Sequence, residues 1–357
     1  MYPHRINLRG PWDAQPLART RLRRDGSIEE VDGAVSPALK MMMPCRWEQA
    51  GLGPFQGRVR FRRSFGWPKE LAGYERLWLV VGAADYFAKV ILNDQPLGEH
   101  AGAFDPFEFE ITALVKERNE LVIDVDCPVA DPLAQREWLW RGRLGTGGGL
   151  WGTVALEVRR ESFLKLARVA ATFDGHLGGL EISGEICAQQ DQANDLSVRL
   201  GNRELTYRAS RRGSFALVLP TGPVEPWQPM GLGEQRCYEL QIRLNDVACQ
   251  LDQKFYQVGF RHVEKRNDGW RINGTMVTTG SPTDYWLEPV AEMYTLDIAD
   301  ARGGMSCLEM PIRPEVISVS HRRSQAEQLK NRLLDGVAHH PSLIAVTEPN
   351  PAFIGVD

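Results

Sequence analysis

The sequence predicts a mainly β protein: a jelly-roll sandwich, then an immunoglobulin-like sandwich, then an α/β segment. Two observations lead there. Apolar residues recur at every second position in run after run before about residue 258, the period of a strand with one buried face. After Gly259 that period gives way to a three-to-four spacing and to short, wholly apolar runs.

In residues 1–160, Leu77, Leu79 and Val81 alternate, as do Leu121, Ile123 and Val125, and then Val154, Leu156 and Val158. Residues two apart share a face of a strand, so Asp124 and Asp126 are expected to point outward. Gly, Pro, Asn and Asp separate these runs at spacings that suit hairpins and Greek-key connections rather than crossover helices. Residues 161–258 form a second β region, about 100 residues long as in an immunoglobulin-like sandwich. It ends in Tyr238, Leu240, Ile242 and Leu244 alternating with Glu239, Gln241, Arg243 and Asn245. Between its strands, the four prolines of Pro220–Pro229 forbid a helix and predict an extended surface connection.

Residues 259–357 change character. A helix is expected near 286–302, a strand over Met305–Met310, and an amphipathic helix carrying Ala326, Leu329, Leu333, Leu334 and Val337. Leu343-Ile344-Ala345-Val346 then reads as a buried parallel strand. Strand and helix in alternation belong to an α/β barrel or an open parallel sheet.

Composition narrows the function classes. The chain of 357 residues has room for two or three cores, and 43% hydrophobic content excludes a disordered chain. Its 46 acidic and 42 basic residues leave a net charge of -4, which gives no pull toward nucleic acid or an anionic membrane. Without a signal-length apolar core at Met1–Gly10 or a run of roughly 20 apolar residues, a cytoplasmic protein is expected. The six cysteines lack a C-x-x-C pair and read as buried, reduced thiols rather than a zinc site. Neither a metal nor an organic cofactor is called for.

Several stretches carry a family resemblance. Asn93 closes Lys89-Val90-Ile91-Leu92; Gly102-Ala103-Phe104-Asp105-Pro106-Phe107, running on to Ile111-Thr112, follows; then comes Asn119-Glu120-Leu121. Gly148-Gly149-Leu150-Trp151, Trp227-Gln228-Pro229, Gly259-Phe260-Arg261 and Trp270-Arg271-Ile272-Asn273-Gly274 continue the series in order. Together they resemble glycoside hydrolase family 2, with Asp94 where that family usually has Gly. The resemblance implies a sugar-binding jelly roll at 1–160, an immunoglobulin-like sandwich at 161–258 and a partial α/β barrel segment of the TIM type at 259–357. It also implies retaining β-glycosidase chemistry of the β-galactosidase, β-glucuronidase and β-mannosidase kind.

Such chemistry takes two carboxyl groups about 5 to 5.5 Å apart at the C-terminal ends of barrel strands. His340-Pro341-Ser342 resembles the family's strand leading to the acid/base, but the family's spacing puts Asn350 on the Asn and Pro351 on the Glu. Glu348 is the nearest carboxylate and the one candidate acid/base; there is no candidate nucleophile. The 99 residues from Gly259 fall short of the about 250 of a complete barrel, and the arginine and histidine expected near Thr278–Asp284 are missing.

Trp138, Trp140 and Trp270 are candidate carbohydrate platforms, since a pyranose ring packs an apolar face on indole. Trp151, in an alternating strand, reads instead as core. The expectation is a carbohydrate-binding protein with weak or no catalysis, its ligand an oligosaccharide or β-glycoside. The alternative is an active β-glycosidase whose barrel is completed by oligomerisation or a partner chain. A truncated gene product is a third reading.

Overall fold

The computed structural model describes residues 2–67, 70–141, 147–188, 194–209, 212–247, 249–267, 269–277, 286–287 and 293–347. Strand accounts for 53% and helix for 13%, so the protein is mainly β as its periodicity predicts. The chain divides into two compact units, one of His4–Val158 with Met310–Leu329, the other of Arg159–Glu309 with Lys330–Thr347.

The first unit is a sandwich of a four-stranded and an eight-stranded sheet. In the four-stranded sheet, Leu77, Leu79 and Val81 of the Glu75–Val81 strand are buried. The eight-stranded sheet is antiparallel at its centre, where Arg118–Cys127 lies between Gly57–Gly66 and Phe87–Leu92. Leu121, Ile123 and Val125 fill the core from it. Asp124 and Asp126 do take the opposite face, but they are not outward in the expected sense: both are buried, because Arg60 and Arg58 of the neighbouring strand lie over them.

Two of the motif residues act as scaffold. Asn93 and Asp94 both have positive φ, 51° and 65°, and make the two-residue hairpin between Phe87–Leu92 and Gln95–Ala101. Asn and Asp tolerate that left-handed region, so the position can depart from Gly. The Asn93 amide donates to Asn119 Oδ1 and the Leu114 carbonyl, both at 2.9 Å, while its Oδ1 accepts from Glu120 N at 3.0 Å. Phe104, fully buried, meets the Trp151 ring edge-on at 5.7 Å. At Gly152, an added Cβ would lie 2.0 Å from Ala83 N, so only glycine permits that approach.

The second unit begins as a sandwich of three and four antiparallel strands. Leu164, Leu180 and Ile182 from one sheet share a core with Leu196, Leu240 and Ile242 from the other. The Gly213–Pro223 strand runs through Pro220, correcting the expectation of a surface connection there; it lies at the sheet edge, where a missing N–H is tolerated. Trp227 within the proline-rich stretch is fully buried rather than exposed.

After the hairpins of Val263–Val277, Trp286–Leu287, Ser306–Glu309 and Leu343–Thr347 pair in parallel. Naming helices in chain order, α1 is Pro132–Trp138, α2 Met293–Arg302 and α3 Ser320–Gly336. The helix expected from 286 thus starts later, with a strand at 286–287. On α3, Ala326, Leu329 and Leu333 are buried, as is Val337 just beyond. All six cysteines are free, but only Cys127 is buried; the others are half-buried, which corrects the expectation of burial. Among the described residues, no helix is long and apolar enough to cross a membrane.

Candidate functional site

Trp138 and Trp140 lie in the first unit, at the end of α1 and just past it. Helix α1 starts where the Asp131 carboxylate accepts from Ala134 N at 2.8 Å, with Pro132 in the first turn. The Arg322 guanidinium lies 4.7 Å from the Trp138 ring centre and 4.3 Å from that of Trp140. Such cation–π contacts stack the planar cation on the rings. Arg322 also donates to the Glu137 and Trp138 carbonyls. Trp140 is buried, and Trp138 is half-buried with its ring edge against Gly26. Little of the Trp140 ring is therefore left to meet a sugar.

Immediately before Trp138, Glu137 accepts from Ser318 N at 3.0 Å, Ser318 Oγ at 2.7 Å and Val319 N at 3.3 Å. These groups precede α3, so the carboxylate satisfies donors at a helix start. Burial by itself would raise the Glu137 carboxyl; these hydrogen bonds outweigh it and hold the group below its ordinary range.

The second unit gathers the later motifs. Trp227 N donates to Phe260 O and Trp227 Nε1 to Asp300 O, both at 2.8 Å, and Asn273 Nδ2 donates to Trp227 O at 2.9 Å. A Cβ on Gly259 would sit 2.6 Å from the Pro341 ring, so the Gly-Phe-Arg and His-Pro-Ser motifs touch through that glycine. Arg261 donates to the Leu343 carbonyl, and burial lowers its guanidinium to about 10 against an opposing pull from Asp300.

Asp300 of α2 ties this region together: its Oδ2 lies 2.7 Å from His340 Nδ1 and its Oδ1 accepts from Ser342 N at 2.8 Å. Asp297, Asp300 and His340 place three ligand-type atoms within 4.8 Å of one another. Both Asp300 oxygens and His340 Nδ1 are already engaged, and Asp297 is exposed, so the arrangement acts as an anchor. It lies at the start of the Leu343–Thr347 strand, whereas parallel α/β folds place their chemistry at strand C-terminal ends. Glu348, beyond that C-terminal end, lies outside the described residues, as do Thr278–Asp284, Asn350 and Pro351. Trp270 is half-buried in the Gly269–Ile272 strand, with Lys265 Nζ 5.4 Å from its ring centre.

His339 gives this unit a pH dependence. Burial, and then the neighbouring His340, lower its imidazole from 6.5 to about 4, against the pull of Asp300. The unfolded chain therefore takes up the proton first, so stability is complete above pH 6.5 and falls as pH drops toward about 4. The span from 6.5 to about 4 corresponds to on the order of 3 kcal/mol. Denaturant melts of the native chain and His339→Phe between pH 7.5 and 4.5 check this: the variant is expected to show a flatter profile, and parallel profiles would contradict the assignment.

Sequence reading missed Asp300, Glu137 and Arg322, because each partner pair is far apart in the chain. The Asp300–His340 pair spans 40 positions and the Glu137–Ser318 pair 181.

Taken together, these features define a β-sandwich protein with a parallel α/β segment built onto the second sandwich. Residues 56–144 match the family model described as "Glycosyl hydrolase 2 galactose-binding domain-like", so the resemblance read from the motifs holds: the chain carries a domain of the glycoside hydrolase family 2 kind. A β-glucuronidase of Paenibacillus borealis is 25% identical over 249 residues, covering 64% of this chain and 40% of that protein. In structure, a calcium-binding mutant of Bacteroides uniformis β-glucuronidase 2 superimposes with a TM-score of 0.73 at 17% identity, over 97% of this chain and 47% of that one. A β-D-mannosidase from Dictyoglomus thermophilum gives 0.71 at 19% identity, over 96% and 52%. The chain thus spans about half or less of the length of these relatives.

Proposed function

We propose that this chain is a carbohydrate-binding protein of the glycoside hydrolase family 2 kind, with weak or no hydrolytic activity of its own. The observation that carries this reading is the coincidence of the galactose-binding-like match at 56–144 with the centre of the eight-stranded sheet. Three segments, 1–160, 161–258 and 259–357, are the working domain division. The ligand is an oligosaccharide or β-glycoside, held by the sandwich unit. Six free thiols fit a reducing compartment, so a cytoplasmic setting is part of the proposal. Calorimetric titration with a panel of β-linked oligosaccharides is expected to reveal binding at millimolar concentration or tighter; silence across the panel ends this reading.

A second reading, β-glycoside hydrolysis with the parallel segment completed by a second copy or a partner chain, has one observation in its favour. His340-Pro341-Ser342 leads into a parallel strand paired with Ser306–Glu309, the order a barrel requires. Release of nitrophenol from aryl β-glycosides that disappears in Glu348→Gln would support it. Absence of release, with oligosaccharide binding intact, would favour the binding protein.

A further inference from the structure

We infer that the outer face of the eight-stranded sheet holds a binding groove for a neutral pyranoside; this rests on the carbohydrate-binding reading and names its site. The groove, about 670 Å³, lies across four adjacent strands and is within the roughly 300–1,000 Å³ range of small-molecule sites. Strand register sets its floor in two rows. In the first, Arg60, Asp124, Lys89 and Glu99 stand directly opposite one another from strand to strand. In the second, Arg58, Asp126, Phe87 and Ala101 do the same. Side chains opposite each other on one face of a sheet are neighbours, so each row is a continuous strip.

The first row alternates in charge from strand to strand. Arg60 grips Asp124 with two bonds of 2.7 Å, and Lys89 Nζ stands 3.7 Å from Glu99. In the second row Arg58 Nε bonds Asp126 at 3.0 Å, and Thr20 Oγ1 donates to the same carboxylate. Burial raises the Asp126 carboxyl above its ordinary value, with Thr20 and Arg58 opposing. Phe87 and Ala101 continue this row as a half-buried aromatic and a small exposed side chain, flanked by Ile91.

Charge decides the ligand class. Three cations, Arg58, Arg60 and Lys89, face three carboxylates, Glu99, Asp124 and Asp126, and Glu30 bonds Arg58 at 2.9 Å from beside the groove, so each of the three cations already has a carboxylate partner. An anionic ligand finds no spare cation there, and a cationic one meets three cations already paired. A neutral sugar suits it: each hydroxyl is both donor and acceptor, the carboxylate oxygens keep lone pairs beyond those their arginines use, and the apolar C–H face has Phe87 to pack on. Because the Arg60–Asp124 and Arg58–Asp126 pairs are already formed, little ordering of those side chains remains for the ligand to impose.

The test uses the full chain with methyl β-D-glucopyranoside and methyl β-D-galactopyranoside as probes and the methyl β-D-glucuronoside as charged comparison, read by saturation-transfer NMR and calorimetry. Phe87→Ala removes the platform; Ala101→Arg, at an exposed position, fills the groove without disturbing the core. Each is expected to weaken neutral-glycoside binding about tenfold or more, with the uronoside the poorest ligand of the native chain. Affinities unchanged in Ala101→Arg overturn the groove while leaving carbohydrate binding standing. Tighter binding of the uronoside overturns the neutral-ligand assignment, and no binding of any glycoside by the native chain at about 10 mM removes the function and the groove together.

Discussion

Replacing Arg141 by methionine is expected to destabilise the first unit by about 3–5 kcal/mol, the range for stripping one partner from a buried ion pair. Arg141 and Asp85 are 7% and 2% exposed and share bonds of 2.8, 3.1 and 2.6 Å. Arg141 also donates to the Gly147 carbonyl at 2.7 Å, so one guanidinium holds both Asp85 and Gly147, close to the Asp85–Gly149 bridge. Loss of the cation leaves Asp85 without its buried counter-charge, and it is this uncompensated carboxylate that costs the stability. The double variant Asp85→Leu with Arg141→Met removes both charges and is expected to recover most of the loss. Denaturant melts of the singles and the double measure the coupling directly; additive losses would show that the pair does not act as a unit.

The second large effect is expected in the other unit. Asp300→Ala removes the acceptor of both His340 Nδ1 and Ser342 N, leaving two buried donors unpaired. At about 1–3 kcal/mol for each abandoned group, the loss is on the order of 2–6 kcal/mol. Asp300→Asn keeps one acceptor oxygen and is expected to lose about half of that. Hydrogen exchange supplies a local readout: the Ser342 amide should lose protection in Asp300→Ala beyond the change in global stability. Protection equal to that of the native chain would mean the carboxylate does not hold the strand. The consequence reaches function, because Leu343–Thr347 is the strand whose C-terminal end the second reading needs to be fixed.

Both cases show why motifs were easier to find than their meaning. Asn93 and Asn119 stood out in the sequence, yet their shared hydrogen bond joins positions 26 apart and makes them a turn anchor. Trp227, Gly259, Asn273 and Pro341 lie far apart in the chain, and packing at one place explains why each has its residue type. Trp138 and Trp140 were legible as aromatics in a loop; that Arg322, 184 positions beyond Trp138, stacks on them was not. The groove is the sharpest instance. Asp124 and Asp126 could be assigned to the face opposite the core from a two-residue period, but what stands over that face depends on three neighbouring strands.

The amino-acid sequence alone determined the class of each segment and the face of most strands, since alternation and helical spacing are local properties of backbone geometry. Which strands are neighbours, and therefore which charges are paired, which tryptophans are covered and which carboxylates share a groove, was decided only by tertiary structure. The physical reason is that strand register and long-range ion pairs join residues tens to hundreds of positions apart, where no local period records them.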